Sequence, residues 1–119
     1  MRHDELRLFL DQMLGAEAGE PFGPEATVYK VRAKMFALLS RRHGRDYVTL
    51  KAQPHDGEVL TEQFTDITPG YHMNKRHWIT IYYNGDVEDS LIQDLCEQSY
   101  KLVVSQLTKT EQRALGLIQ

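Results

Sequence analysis

Leu6, Phe9, Leu10, Met13 and Leu14 recur at spacings of three, one, three and one, which predicts an amphipathic helix over residues 3–14 closed by Gly15. Residues 15–26 hold three glycines and two prolines and predict a loop that returns the chain to a sheet. Three runs rich in valine, tyrosine, leucine and phenylalanine follow, at 27–32, 34–40 and 47–52. The gaps between them are too short for a parallel crossover, so they predict an antiparallel meander. Pro54 opens a second helical stretch to about residue 64, with Val59, Leu60, Gln63 and Phe64 on one side and Asp56 and Glu58 near its start. Thr68-Pro69-Gly70 is a turn signal, and Trp78-Ile79-Thr80-Ile81-Tyr82-Tyr83 is the strongest strand, expected inside the sheet. Beyond Asn84-Gly85-Asp86, the positions Leu91, Ile92, Leu95, Cys96, Leu102, Val103 and Leu107 recur with helical spacing and mark the main core helix. Thr108 and Glu111 match a capping box that starts a last short helix containing Leu115. There is no internal repeat.

This order of elements predicts an α+β fold in which an antiparallel sheet is packed by helices. A length of 119 residues fits a single domain over 1–119. Composition adds little beyond a globular balance, 41% hydrophobic and 26% charged, sufficient for a core without disulfides or a structural metal. The single cysteine, Cys96, excludes an intrachain disulfide and a CxxC zinc site, and its place on an apolar stripe predicts a buried, inert thiol. Asp4, Glu5 and Asp11 interrupt the first apolar stretch, so it is not expected to act as a secretion signal, and no apolar run approaches the roughly 20 residues that cross a bilayer. A soluble, cytoplasmic protein is expected, with no membrane partner.

Charge changes the picture more. The formal net charge is -3, but residues 27–51 hold seven bases against Asp46 alone, whereas residues 52–119 hold five bases against ten acids. Two basic segments stand out as hairpin tips: Arg41-Arg42-His43-Gly44-Arg45, and Asn74-Lys75-Arg76-His77 before the strongest strand. On one side of the sheet, two such tips would grip two stretches of phosphate backbone. Tips are also polar simply because they are wet. Strand alternation offers a second surface, with Val28, Lys30 and Arg32 on one side of the first strand, Thr49 and Lys51 on one side of the third, and Trp78, Thr80 and Tyr82 on one side of the last. Aligned, these make a basic and aromatic face that stacks bases and holds their backbone. Turned the other way, Trp78 and Tyr82 are core.

The five histidines, His3, His43, His55, His72 and His77, have no familiar ligand spacing, and no nucleophile motif or phosphate loop is present. The expectation is therefore no metal, no cofactor and no enzymatic activity.

Val-Arg-Ala-Lys-Met-Phe-Ala-Leu at 31–38, Val-Thr-Leu-Lys-Ala at 48–52, Pro-Gly-Tyr-His-Met-Asn-Lys-Arg-His-Trp at 69–78 and Ser99-Tyr100 together resemble the MmcQ/YjbR family in order and spacing. The resemblance covers nearly the whole chain, and the block from His72 to Trp78 is its most specific part. It implies a CyaY-like, frataxin-like fold and a "double wing" DNA-binding role, which the family carries largely by analogy of fold. The three acids of the first helix are too sparse to carry over iron binding. The expected function is non-enzymatic binding of DNA or RNA by a monomer. Arg41, Arg42, Arg45, Lys75 and Arg76 would contact phosphates, Lys30, Arg32, Lys34 and Lys51 would extend the basic surface, and His77 and Trp78 would adjoin it. The alternative is an adaptor domain that presents the same surface to an acidic protein.

Overall fold

The computed structural model describes residues 1–71 and 73–119. The elements run α1 (His3–Asp11), β1 (Ala16–Gly19), β2 (Thr27–Val31), β3 (Lys34–Arg42), β4 (Arg45–Lys51), α2 (Pro54–Gln63), β5 (Ile67–Pro69), β6 (Trp78–Tyr82), α3 (Asp89–Ser105) and α4 (Lys109–Ala114). The strands form one antiparallel sheet in the order β1-β2-β3-β4-β6-β5, with the helices on one face. The α+β architecture, the meander and the interior position of β6 follow the sequence expectation. No helix among the described residues is long and apolar enough to cross a membrane.

Two strands lie where none is expected. β1 falls in the predicted loop: Ala-Glu-Ala-Gly has weak strand propensity and is held as an edge by its register with β2, from Ala16 opposite Val31 to Gly19 opposite Val28. β5 is a three-residue edge within the predicted turn, ending at Pro69, which needs no ladder partner for its nitrogen. The β3–β4 hairpin is also tighter than predicted. Arg41, Arg42 and Arg45 are ladder residues, and only His43 (φ 50) and Gly44 (φ 75) form the turn, both in the left-handed region that a two-residue hairpin needs. α1 ends at Asp11, ahead of the predicted Leu14.

The core lies between sheet and helices. Leu6 and Leu10 of α1 and Ile92, Leu95, Cys96 and Val103 of α3 pack on Tyr29, Val31, Phe36, Ala37, Leu39, Val48, Leu50, Ile79 and Ile81. Burial pushes the Cys96 thiol well above its usual range, so it stays protonated and unreactive. At the start of α1, desolvation holds the His3 imidazole below its ordinary pKa against the pull of Asp46. Neutral His3 donates from Nε2 to the Ser40 carbonyl (2.9 Å) and accepts at Nδ1 from the Tyr83 hydroxyl (3.2 Å), tying α1 to the ends of β3 and β6. The predicted capping box is present at α4: Thr108 Oγ1 accepts from the Glu111 amide, and Glu111 Oε1 accepts from the Thr108 amide.

A bulge organises the centre. Tyr29 pairs with Ala37 but Lys30 pairs with Met35, leaving Phe36 as an extra residue whose ring turns into the helix layer against Tyr29 and Tyr100. The β3–β4 ladder stops at Ala37 opposite Leu50. The next pair would be Phe36 and Lys51, and there the fully buried Ser99 of α3 inserts its hydroxyl. Ser99 Oγ accepts from the Lys51 amide (2.8 Å) and donates to the Phe36 carbonyl (2.6 Å). Ser99→Ala would orphan both buried groups, at about 1–3 kcal/mol each for full desolvation. A loss of about 2–4 kcal/mol in urea-denaturation stability is expected, and a loss under about 0.5 kcal/mol would mean the ladder closes without the hydroxyl.

Candidate nucleic-acid interface

Register fixes which side chains share the sheet face away from the helices. Across β4 and β6, Lys51 stands opposite Trp78, Thr49 opposite Thr80, and Tyr47 opposite Tyr82. Across β2 and β3, Val28 faces Leu38 and Lys30 faces Met35. Most of the residues considered from strand alternation therefore share one face, but Arg32 lies in the β2–β3 turn, Val28, Thr49 and Thr80 are buried there, and Trp78 and Tyr82 are half-buried. Strand spacing puts Lys30 and Lys51, two strands apart, about 10 Å from each other, and Trp78 and Tyr82 about 13 Å apart along β6.

The segment after β5 folds onto this face. Gly70 donates to the Trp78 carbonyl (2.8 Å), and a Cβ at Gly70 would sit 2.7 Å from Trp78 Cβ, so only glycine permits the approach. The next amide, Tyr71, donates to Thr80 Oγ1 (3.0 Å), which is also 2.8 Å from Thr49 Oγ1. Both threonines are fully buried, and the side chain of Tyr71 lies edge-on to Tyr47. Arg42 stacks 4.0 Å above the Tyr71 ring and reaches the Tyr82 hydroxyl at 3.5 Å; that contact holds its guanidinium above the ordinary arginine range. The result is a cluster of Tyr47, Tyr71 and Tyr82 under an arginine. Sequence reasoning did not assign Tyr71 to the site, although it lies in the 69–78 block that carries the family resemblance.

The predicted basic residues do not act as one group. The antiparallel pairing of β4 and β6 puts residues 74–77 beside Lys51 and puts Arg41, Arg42 and Arg45 at the opposite end, roughly 20 Å along the strands. The two basic tips, which would have to act together to grip two stretches of backbone, thus lie at opposite ends of the sheet, because β4 and β6 are antiparallel neighbours. Lys75 and Arg76 turn toward α2, lining a small cleft with Pro54, Gly57 and Glu58, and Lys75 Nζ donates to the Gly70 carbonyl (3.2 Å). His77 is exposed just before Trp78. His72 lies outside the described residues, so its pairing with His77 is not described; no metal-holding cluster occurs among the described residues.

Several cations are already committed. Arg45 donates to Asp66 Oδ1 (2.8 Å) and to the Tyr83 carbonyl (3.2 Å), and its guanidinium holds the Asp66 carboxyl below the usual carboxylate range. Asp66 and Asp86 in turn accept each other's backbone amides, so Arg45 clamps the start of β5 to the turn after β6. Arg41 donates to the Gly44 carbonyl and lies 3.8 Å from Asp46. At the β2–β3 turn, Arg32 lies 3.8 Å from Glu111, and Lys34 adds to the positive field on that carboxylate. Lys51 reaches Gln106 Oε1 (3.2 Å), with its ammonium 6.0 Å from the Trp78 ring centre. Lys30 is exposed, and its side chain makes no ion pair or hydrogen bond among the described residues. Lys30, Arg42, Arg45 and Lys51 are thus the cations on the face; Arg45, 5.1 Å over the Tyr82 ring, is paired with Asp66, and the Lys51 ammonium is bonded to Gln106 at the end of the face.

Fold and face together define an α+β domain with a helix-covered core on one side of an antiparallel sheet and a basic, tyrosine-rich surface on the other. The family described as YjbR matches residues 12–102, and the chain belongs to it. It is 40% identical to "Uncharacterized protein YbdF" of Escherichia coli O157:H7 over 78% of this chain and 76% of that one. It is 36% identical to "Uncharacterized protein YjbR" of Escherichia coli strain K12 over 85% and 86% of the two chains. Its fold is similar to the crystal structure of Deinococcus radiodurans protein DR2400, a DUF419 domain, with a TM-score of 0.88 and 35% identity over 97% of this chain and 88% of that one. A Pseudomonas syringae protein is also similar, with a TM-score of 0.77 and 27% identity over 87% of this chain and 99% of that one.

The Thr49–Thr80–Tyr71 contacts hold the tyrosine cluster in place. Thr80→Val removes the acceptor of the Tyr71 amide as well as the threonine pair, whereas Thr49→Val removes only the pair. Thr80→Val is therefore expected to cost about 2–3 kcal/mol and Thr49→Val about 1 kcal/mol, with faster hydrogen exchange at the Tyr71 amide in the Thr80 variant alone.

Proposed function

We propose that the protein is a non-enzymatic nucleic-acid-binding domain that receives a single strand on the sheet face turned away from the helices. Lys30, Lys51 and Arg42 contact phosphates, Trp78 offers the stacking surface, and the Tyr71 and Tyr82 rings hold Arg42 in place. The observation that carries this reading is the register of β4 against β6, which sets Lys51 beside Trp78 and brings Tyr82 under the same face as Arg42. Charge separation supports it. The six strands carry six lysines and arginines and two acids, whereas the helices carry ten acids and four bases. A net charge of -3 thus conceals a basic layer backed by an acidic one, and the local field draws a polyanion to the sheet side. Bases stack on aromatic faces irrespective of sequence while cations follow the backbone, which suits a narrow face bearing few cations.

Three or four phosphate contacts predict a log–log salt slope of about -2 to -3 for a single strand. Fluorescence anisotropy with labelled single- and double-stranded oligonucleotides checks this. The triple variant Lys30→Ala, Lys51→Ala, Arg42→Ala is expected to weaken single-strand binding at least tenfold. Lys75→Ala with Arg76→Ala, which removes cations turned toward α2, is expected to change it less than twofold. No binding at low salt, or binding lost only in the Lys75 and Arg76 variant, would refute the reading. A surface that instead serves an acidic protein would hold its partner in the presence of excess unlabelled DNA.

A further inference from the structure

We propose that the cleft between α2 and α3, on the helix side of the sheet, binds a small anionic amphiphile: a carboxylate carried on a short apolar body. The site is separate from the open face, sharing only Lys51 with it. α2 packs on β5 and β6 while α3 packs across β3 and β4, and between them remains a cavity of about 290 Å³. That is near the lower end of the range for small-molecule sites, about 300–1,000 Å³.

The lining has two characters. Ile79 and Leu95 form an apolar floor, and Leu60 of α2 and Leu102 of α3 form half-buried walls. α2 packs closely on the sheet at its buried Gly57, where a Cβ would be 3.4 Å from Ile79 Cγ2. The edge of the cleft carries Lys51 and Lys101 with the neutral Gln53, Gln98 and Ser105, and Asp56 is the one acid among the lining residues. Among the described residues the exposed Lys101 ammonium has no ion-pair or hydrogen-bond partner, and Lys51 has only the neutral Gln106 amide as hydrogen-bond acceptor. Two ammonium groups against one carboxylate favour an anion. Four aliphatic side chains beneath them favour a ligand whose remainder is apolar, because burying a polar body there would cost unmet hydrogen bonds. An inorganic anion would leave the floor unused, and a neutral hydrocarbon would leave the lysines unused; an amphiphile engages both.

Octanoate is a suitable probe, with octanamide as its neutral counterpart, each titrated into the full-length chain and followed by amide chemical shifts. Saturable octanoate shifts are expected at residues 52, 60, 95, 98 and 102. Octanamide should bind about fivefold more weakly, as should octanoate to the Lys51→Met, Lys101→Met double variant, in keeping with partly exposed ion pairs. Leu102→Trp and Leu60→Trp each fill the cleft from a different wall and should abolish binding in whichever variant melts at a temperature near the parent's. Absence of saturable shifts at low-millimolar octanoate, equal binding of the amide, shifts clustered elsewhere, or undiminished binding to a folded tryptophan variant would each overturn the proposal.

Discussion

The hydroxyl of Ser99 stands where a rung of the β3–β4 ladder is missing. The bulge at Phe36 turns an aromatic ring into the helix layer, and in doing so it pulls a carbonyl away from the strand that would have met it. A buried carbonyl and a buried amide left unpaired would cost more than the ring gains in contact. Ser99 satisfies both from the helix, so α3, the bulge and the end of β4 become one hydrogen-bonded unit. Lys51 owes its position to that unit. Its amide is the one Ser99 accepts from, and its side chain lies between Trp78 on one layer and the α2–α3 cleft on the other.

The second organising feature is the separation of charge between layers. The helices carry ten acids against four bases and the strands six bases against two acids, with Lys34 and Arg41 standing beside α4 and α1 and the other strand bases on the opposite face. Within the basic layer the arginines divide by task. Arg45 is a structural clamp on Asp66, Arg41 braces its own hairpin, and Arg42 lies stacked on Tyr71, held by neutral aromatic partners that leave its charge uncompensated by a carboxylate. A count of basic residues therefore overstates the positive surface available to a ligand. The cations that matter on the open face are fewer and are interleaved with tyrosines and a tryptophan, an arrangement suited to stacking along one strand rather than wide neutralisation of a duplex.

What was legible in the sequence was whatever a local signal encodes. The apolar stripe of α3, the Pro54 start of α2, the Thr108–Glu111 box and the β-branched run of β6 each announced their element through nearby residues. β1 and β5 did not, because Ala-Glu-Ala-Gly and Ile-Thr-Pro form strands only by pairing with neighbours that favour the ladder more strongly. The site was half legible for the same reason. Alternation gave the face of Lys51, Thr49, Trp78 and Tyr82, since period two is local. Which face the helices cover, and which ends of the sheet the basic tips occupy, depend on strand order, which no single segment carries. Tyr71 was hidden because its place depends on a glycine approaching Trp78 across the sheet edge.

Trp78 is the sole tryptophan of the chain and belongs to the proposed surface beside Lys51, so its emission reads the central claim directly. Titration of the protein with an unlabelled single-stranded oligonucleotide should quench that emission saturably, with a midpoint that moves to higher concentration as salt is added. Emission that stays unchanged at concentrations where the strand is demonstrably bound would place the nucleic acid elsewhere on the molecule and contradict the account.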